Sequence, residues 1–573
     1  MAIAPTPAPP AWPMAVRVMT WSADGPVELG ELPAHPPASY PALYYVEPIG
    51  RVDAAMLGKL VVALRREHVP GLSLRGQTVA AMLGELRELP DLHALILDDT
   101  DVDSPSLAAV DLTLVRLYVA RTGIDDAALA ALVPHQLGLE VVNAEGCPIG
   151  DAGARVLAQL GRLRAIDLDA TELGDAGGEA LGSIASLRIV DLGHTHIGPR
   201  TIDALRKLPL AELFLDGTTV GSELAELAPL AATLSRFDAS SLANHAPTDR
   251  EVGWLANAPN LVEVGLDGAA VHDPLVHALA ALPWLREIRL AGAPITLATI
   301  RELVAHRDLE EVDLAQTPID DAAAAQLLAT PTLRVLRLDK TAIGDAALSV
   351  TPSPALREVY VSRTSVSDVG LALLDAVPEL EALGIAGDGV TAQTVHRVAR
   401  LAHLHTLVAD DVPAGALAEL GALHELERLY LENTRADDGV VAALAPARGL
   451  RVLHLATTKI TNASLATLRS FAALEELTLG DTSIDGGLGD LASWPHLHTL
   501  SAYGLPLDDA ALASLVRHRS LVALDLSGTD VRELAPLESL PHLQLLGLAA
   551  TELAATAEPV LARLHARGVE IER

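Results

Sequence analysis

The sequence predicts an α/β solenoid, with short parallel strands stacked into a sheet on its inner side and short helices on its outer side. The first observation is a template, LRVLRLDKTAI at 333–343. Its Leu333, Leu336, Leu338, Thr341 and Ile343 recur one unit earlier as Leu309, Val312, Leu314, Thr317 and Ile319. One unit later the same positions hold Leu356, Val359, Val361, Thr364 and Val366. The second observation is its reach: the template has 21 starts between residues 69 and 543, spaced 22 to 27 residues apart. Self-similarity at a fixed period sets an architecture before local propensity is consulted.

Each part of the template has a physical cause. Leu333, Leu336 and Leu338 point inward while 335 and 337 point outward, which is a short strand of period two. Every unit runs its strand in the same direction, so the strands pair in parallel through right-handed connections. A threonine then turns the chain off the sheet, at Thr100, Thr122, Thr171, Thr195, Thr218, Thr317, Thr341, Thr364, Thr434, Thr458, Thr482, Thr529 and Thr551. A buried hydroxyl there can satisfy backbone groups left by the turn. Cys147 fills this slot in its unit and reads as an inward structural residue, not a nucleophile. Gln77, Asp388, Val412 and Leu505 depart from the pattern at the slot.

Two residues past the apolar position that follows, an aspartate recurs: Asp126, Asp151, Asp175, Asp273, Asp321, Asp345, Asp368, Asp438 and Asp509. Each precedes a short helical run and reads as its N-cap. Ser104-Pro105 gives the same signal with other residues. Pairs such as Leu89-Pro90, Leu282-Pro283 and Leu540-Pro541 stop the helices, because proline cannot continue them.

Four segments follow from this phase. Residues 1–50, with eleven prolines, read as an extended leader lying across the end of the array, with one short strand at Val16–Trp21. Residues 51–68 carry helical periodicity and read as a helix capping the first unit. Residues 69–565 form the array, in which 234–260 is irregular and marks a protruding loop, a bend or a sub-array boundary. Residues 566–573 alternate like a closing strand.

Composition narrows the function. Half of the 573 residues are apolar and mean hydropathy is +0.31, yet no apolar run reaches the roughly 18 residues of a membrane span. The N-terminus lacks the basic region and apolar core of a secretory signal, and Met14 is an alternative start. One cysteine leaves no internal disulfide framework. A cytoplasmic monomer is the expectation. The net charge of −34, from 75 acidic and 41 basic residues, disfavours nucleic acid and anionic membrane. It attracts basic partners, although solubility of an apolar chain accounts for it as well.

The pattern L-x-x-L-x-L-x-x-T-x-I-x-D-x-x-L resembles leucine-rich repeat proteins over about residues 69–565. It is most similar to bacterial arrays with Thr-x-Ile/Val-x-Asp turns, and more distantly similar to the ribonuclease-inhibitor-like class. The resemblance implies a horseshoe whose concave sheet binds protein partners without catalysis or a cofactor.

Candidate binding residues sit at outward strand positions. With only three Phe and seven Tyr in the chain, Tyr118, Phe214, Tyr360 and Tyr430 between the second and third template leucines are informative, and Tyr503 lies just past its strand. Arg337 and Arg363 flank Tyr360, and Arg428 accompanies Tyr430, the aromatic–arginine mixture typical of interface anchors. The first half instead carries an acidic stripe that includes Asp167, Asp169, Asp191 and Asp216, suited to a basic partner. Neighbouring strands give such a ladder no closed loop of six to eight oxygens for calcium. Histidine pairs such as His194/His196, His403/His405 and His496/His498 come without further ligands at useful spacing. No phosphate-binding glycine loop, nucleophile elbow or HExxH is present. The leading expectation is a non-enzymatic protein-binding scaffold. The alternative is a carbohydrate-binding surface protein in which the tyrosines stack on sugar rings.

Overall fold

The computed structural model describes residues 12–22, 25–108, 110, 112–306, 308–387, 389–412, 416–485, 488, 494, 496–517 and 520–573. Asp388, one of the slot departures, and the first eleven residues of the leader lie outside them. The chain divides into two compact units, one comprising Met1–Ala270 with Leu282–Trp284 and the other Val271–Ala281 with Leu285–Arg573.

The first unit starts with β1 (Val16–Ser22), β2 (Gly25–Leu32) and β3 (Tyr45–Pro48). β1 pairs antiparallel with both β2 and β3, and β3 pairs parallel with the strand Gly71–Ser73. The leader expectation of one strand in an extended segment is therefore corrected to a three-stranded cap. Alternation explains it: Val16 and Val18 are buried, while the prolines at 33, 36, 37 and 41 fall between β2 and β3 and do not interrupt a strand. Helix α1 (Ala54–Glu67) follows, with the Asp53 carboxylate accepting the Met56 N–H at 2.8 Å. It buries Leu57, Leu60, Val61 and Leu64, one stripe of an amphipathic helix.

From Gly71 onward the strands are three residues long, parallel and in constant register. In the first unit Leu72, Leu95, Leu117, Val142, Ile166, Val190, Leu213, Phe237 and Val264 align across the sheet, and all are buried. In the second unit the aligned row runs from Ile288 through Val312, Leu336 and Val359 to Leu546 and Ile571. A one-residue slip would turn every such row to solvent, so burial fixes the register. The strand Glu570–Glu572 pairs with Leu545–Gly547 after the helix Ala557–Ala566.

The threonine slot works as its chemistry requires. Thr100, Thr195, Thr341 and Thr458 donate to the carbonyl three residues back, Leu97, Leu192, Leu338 and Leu455, at 2.6 to 2.7 Å. Thr551 donates instead to Leu526 O, in the preceding repeat. Cys147 is buried, and its thiol donates to Val119 O at 3.0 Å. Burial pushes that thiol's pKa up, which suits a structural residue.

The recurrent aspartates correct an expectation. They are not the N-caps of their own helices: Gly150, Gly174, Asp320, Gly344, Asp437 and Asp508 hold that position, and the aspartate is the residue after it. Their carboxylates reach forward to the next repeat. Asp151 accepts the N–H of Gly174 and Gly177, Asp175 those of Gly198 and Thr201, and Asp345 those of Ser367 and Gly370, at 2.7 to 3.0 Å. Asp273, Asp368, Asp438 and Asp509 do the same to Thr296, Thr391, Thr461 and Arg532. Each aspartate thus satisfies orphan amides at a helix start that it does not belong to. Ahead of the threonine slot, the residue is in the left-handed region throughout, as at Gly146 (φ 65°), His194 (φ 48°), Lys340 (φ 55°) and Thr457 (φ 56°).

The irregular stretch 234–260 packs inward. Phe237 replaces the aliphatic strand residue, and Trp254 meets it edge-on at 5.4 Å and donates to Leu224 O at 3.1 Å. A capping box of Thr248 and Glu251 starts the short helix Asp249–Val252, and His245 lies 2.9 Å from the Glu251 carboxylate.

Candidate binding faces of the sheet

Outward side chains of each strand form two rows, at its first and third residues. In the first unit the third-residue row runs Tyr118, Asn143, Asp167, Asp191, Phe214, Asp238. Asp167 and Asp191 are therefore direct neighbours on adjacent strands. Asn143 donates to Asp167 Oδ2 at 2.6 Å, and the amides of Asp169 and Gly193 donate to Asp167 and Asp191. Among the described residues no ion pair reaches either carboxylate. Burial, then the neighbouring carboxylates of Glu145 and Asp169, push Asp167 up to about 7 against the opposing Asp169 amide. Burial and the Asp167 charge push Asp191 up to about 8. Both shifts have the sign expected for crowded, desolvated acids.

Asp169 and Asp216 stand one row further along and converge over Gly193, where a Cβ would meet Asp169 Oδ1 at 2.7 Å and Asp216 Oδ1 at 3.0 Å. His194 lies 2.9 Å from Asp169 and 3.6 Å from Asp216. The structure thus brings together Asp167, Asp169, Asp191 and Asp216, and adds His194, which sequence reasoning had treated only as half of a histidine pair. No group of three or more His, Cys, Asp or Glu among the described residues is arranged to hold a metal. Other acids of the stripe are already neutralised: Arg75 binds Asp98, and Arg121 binds Asp99 and Glu145.

Tyr118 is corrected from a free anchor to a packed residue. Trp21 of β1 stacks on it, with ring centroids 6.1 Å apart and planes 13° apart, and Arg116 lies 4.9 Å from the Trp21 ring. Beneath this cap, the outward-row residues Ser73 and Ile96 are buried. The signal for Trp21 is its place in an alternating strand, but nothing local to residues 16–22 says which surface the indole covers. Phe214 is held too, with the Arg236 guanidinium 5.3 Å from its ring.

In the second unit, Arg337 sits 5.3 Å from the Tyr360 ring and pairs with Glu311 and Glu358. The Tyr360 ring lies across Gly384, where a Cβ would come within 2.6 Å of it. Burial and the Glu358 charge push the Tyr360 phenol up to about 12. Arg363 turns away to Asp411 at 3.3 Å. Arg428 and Tyr430 share a strand, and Tyr430 meets His454 edge-on at 4.6 Å. Tyr503 is separate, its ring over Gly480. No helix among the described residues is long and apolar enough to cross a membrane.

A constant-register parallel sheet, inward leucine rows, a hydroxyl at each turn and a short helix or helical turn closing each repeat are the architecture of a leucine-rich repeat array. No protein-family model matches the chain, and neither does any curated protein sequence. Among solved structures, an internalin of Listeria monocytogenes is similar at 16% identity, covering 70% of this chain and 88% of its own, with a TM-score of 0.31. A leucine-rich repeat protein of Leptospira interrogans is similar at 13% identity over 92% of this chain and 93% of its own, with a TM-score of 0.28. The Arabidopsis receptor kinase HAESA, in complex with a peptide hormone and a co-receptor, is similar at 14% identity over 85% and 83%, with a TM-score of 0.36. The leucine-rich repeat architecture is carried by the repeat geometry above, not by these likenesses.

Proposed function

We propose that the chain is a non-enzymatic protein-binding scaffold whose sheet faces are its working surfaces, and that the acidic face of the first unit takes a basic partner. One observation carries this reading: Asp167 and Asp191 stand side by side, each half-buried, and among the described residues no ion pair reaches either carboxylate. A lysine or arginine brought by a partner would supply the missing charge and release the protons these acids retain. Asp169 and Asp216, about a third exposed, widen the same surface.

The test is an affinity pull-down from native lysate with the full chain, against an Asp169→Lys/Asp216→Lys variant of matched folding. Recovery of a basic protein by the wild type alone, weakening with salt, supports the reading. Equal recovery by both, or no basic protein with either, overturns it.

A further inference from the structure

In two repeats of the first unit the left-handed residue ahead of the threonine slot carries a basic side chain, Arg121 and His194. Arg121 reaches back to Asp99 and forward to Glu145, each at 2.6 Å, so its guanidinium ties three successive repeats together. His194 makes the same two-sided contact from the same position. Its Nδ1 lies 2.9 Å from Asp169 in the repeat before and 3.6 Å from Asp216 in the repeat after. Arginine keeps its charge at any pH a folded protein meets, whereas histidine carries one only when protonated.

The place His194 fills is built by missing side chains. Its ring lies against Gly217, where a Cβ would come within 2.5 Å of it, and the two carboxylates converge over Gly193 beside it. The charged groups acting on the imidazole are all acids, Asp169, Asp216 and Asp238. Among the described residues, Asp169 and Asp216 form ion pairs with His194 alone. Asp191 in the adjoining row feels the charges of Asp167, Asp169 and Asp216 as well. Burial lowers the His194 pKa, but the Asp169 hydrogen bond and the charges of Asp169, Asp216 and Asp238 outweigh it and hold it above its ordinary 6.5. The imidazole is therefore charged below that ordinary value and loses its charge as pH rises past the raised one.

We propose that His194 is a proton-operated latch on the acidic face: protonated, it occupies the place between Asp169 and Asp216 that a partner's lysine or arginine would take, and deprotonated, it leaves both carboxylates to the partner. The inference rests on the reading of this face as the seat of a basic partner, and adds how that seat is regulated. Comparison with Arg121 separates a permanent tie from a removable one. Asp99 and Glu145 stay neutralised whatever the pH, whereas Asp169 and Asp216 become available as the imidazole gives up its proton. Asp167 and Asp191 act in the same sense, because they too release protons towards higher pH. A basic partner therefore binds more tightly as pH rises and is released on acidification.

The test is binding of a rhodamine-labelled hexa-arginine peptide, whose charge stays constant between about pH 6 and about pH 9, to the full chain at fixed ionic strength. Fluorescence anisotropy compares wild type, His194→Gln, His194→Arg and Asp169→Lys/Asp216→Lys, each checked for folding by circular dichroism. His194→Gln should bind about three- to fivefold more tightly than wild type at about pH 6 and equally at about pH 9. His194→Arg should stay weaker than wild type at about pH 9 and match it only on acidification. A constant ratio between His194→Gln and wild type across the range, or equal binding of His194→Arg and wild type at the higher pH, overturns the latch. If Asp169→Lys/Asp216→Lys still abolishes binding in that case, the acidic-face reading survives. If that variant binds as wild type does at the higher pH, both readings fall.

Discussion

Replacing Asp191 with Asn should stabilise the protein at alkaline pH and do little at acid pH. Burial and the adjacent Asp167 charge lift the Asp191 carboxyl from 3.8 to about 8 in the folded chain. A raised carboxyl holds its proton more tightly when folded. Its contribution is therefore fully present below about pH 4 and is lost as pH climbs towards the folded value. About four units at roughly 1.4 kcal/mol each set a ceiling near 6 kcal/mol. The open side of the sheet and the proton's exchange with Asp167 reduce this to about 2 kcal/mol. Asparagine keeps the shape and still accepts the Gly193 N–H, which lies 3.0 Å from Asp191 Oδ1. The assay is urea unfolding of both proteins at about pH 5 and about pH 9, followed by circular dichroism. A variant no more stable than wild type at the higher pH, or equally stabilised at both, would refute the reasoning.

Other perturbations bear on the repeat itself. Leu336→Ala, at a fully buried strand position, should cost about 2–5 kcal/mol in the same unfolding assay. Asp345→Ala should cost about 1–2 kcal/mol by freeing the amides of Ser367 and Gly370. Burial raises that carboxyl, but the Ser367 and Gly370 hydrogen bonds outweigh it and hold it below its usual value, so the cost should vanish as pH falls below about 4. Thr457→Gly should raise the unfolding free energy by about 1 kcal/mol, because a β-branched residue at φ 56° is strained where glycine is not. Trp21→Ala should increase protease cleavage between β1 and β3, by removing the ring that seats the cap on Tyr118.

The period, the strands, the inward threonines and Cys147 were legible in the sequence because each is a local rule repeated many times. The aspartates were legible as a set and misplaced by one residue: spacing shows that a carboxylate sits at a helix start, not whether it turns to its own helix or the next. The left-handed position was present as a signal, in the recurrence of Gly, Asn and Asp at 146, 217, 292, 433 and 481, but the lysine, histidine and threonine at other repeats masked it. The outward row was legible, yet its occupancy was not. Whether Tyr118 is open depends on an indole 97 residues earlier.

The forward reach of the aspartates makes some runs of repeats unequal at their two ends. Asp126, Asp151 and Asp175 each supply the acceptor that starts the next repeat's helix, so the helices at Asp151, Asp175 and Pro199 take theirs from a predecessor. The helices that begin at Asp321, Asp438 and Asp509 are different, because Asp320, Asp437 and Asp508 cap them from within. A shortened chain that begins at Asp151 or Asp175 therefore needs a substitute acceptor at its front, and one that begins at Asp320 carries its own.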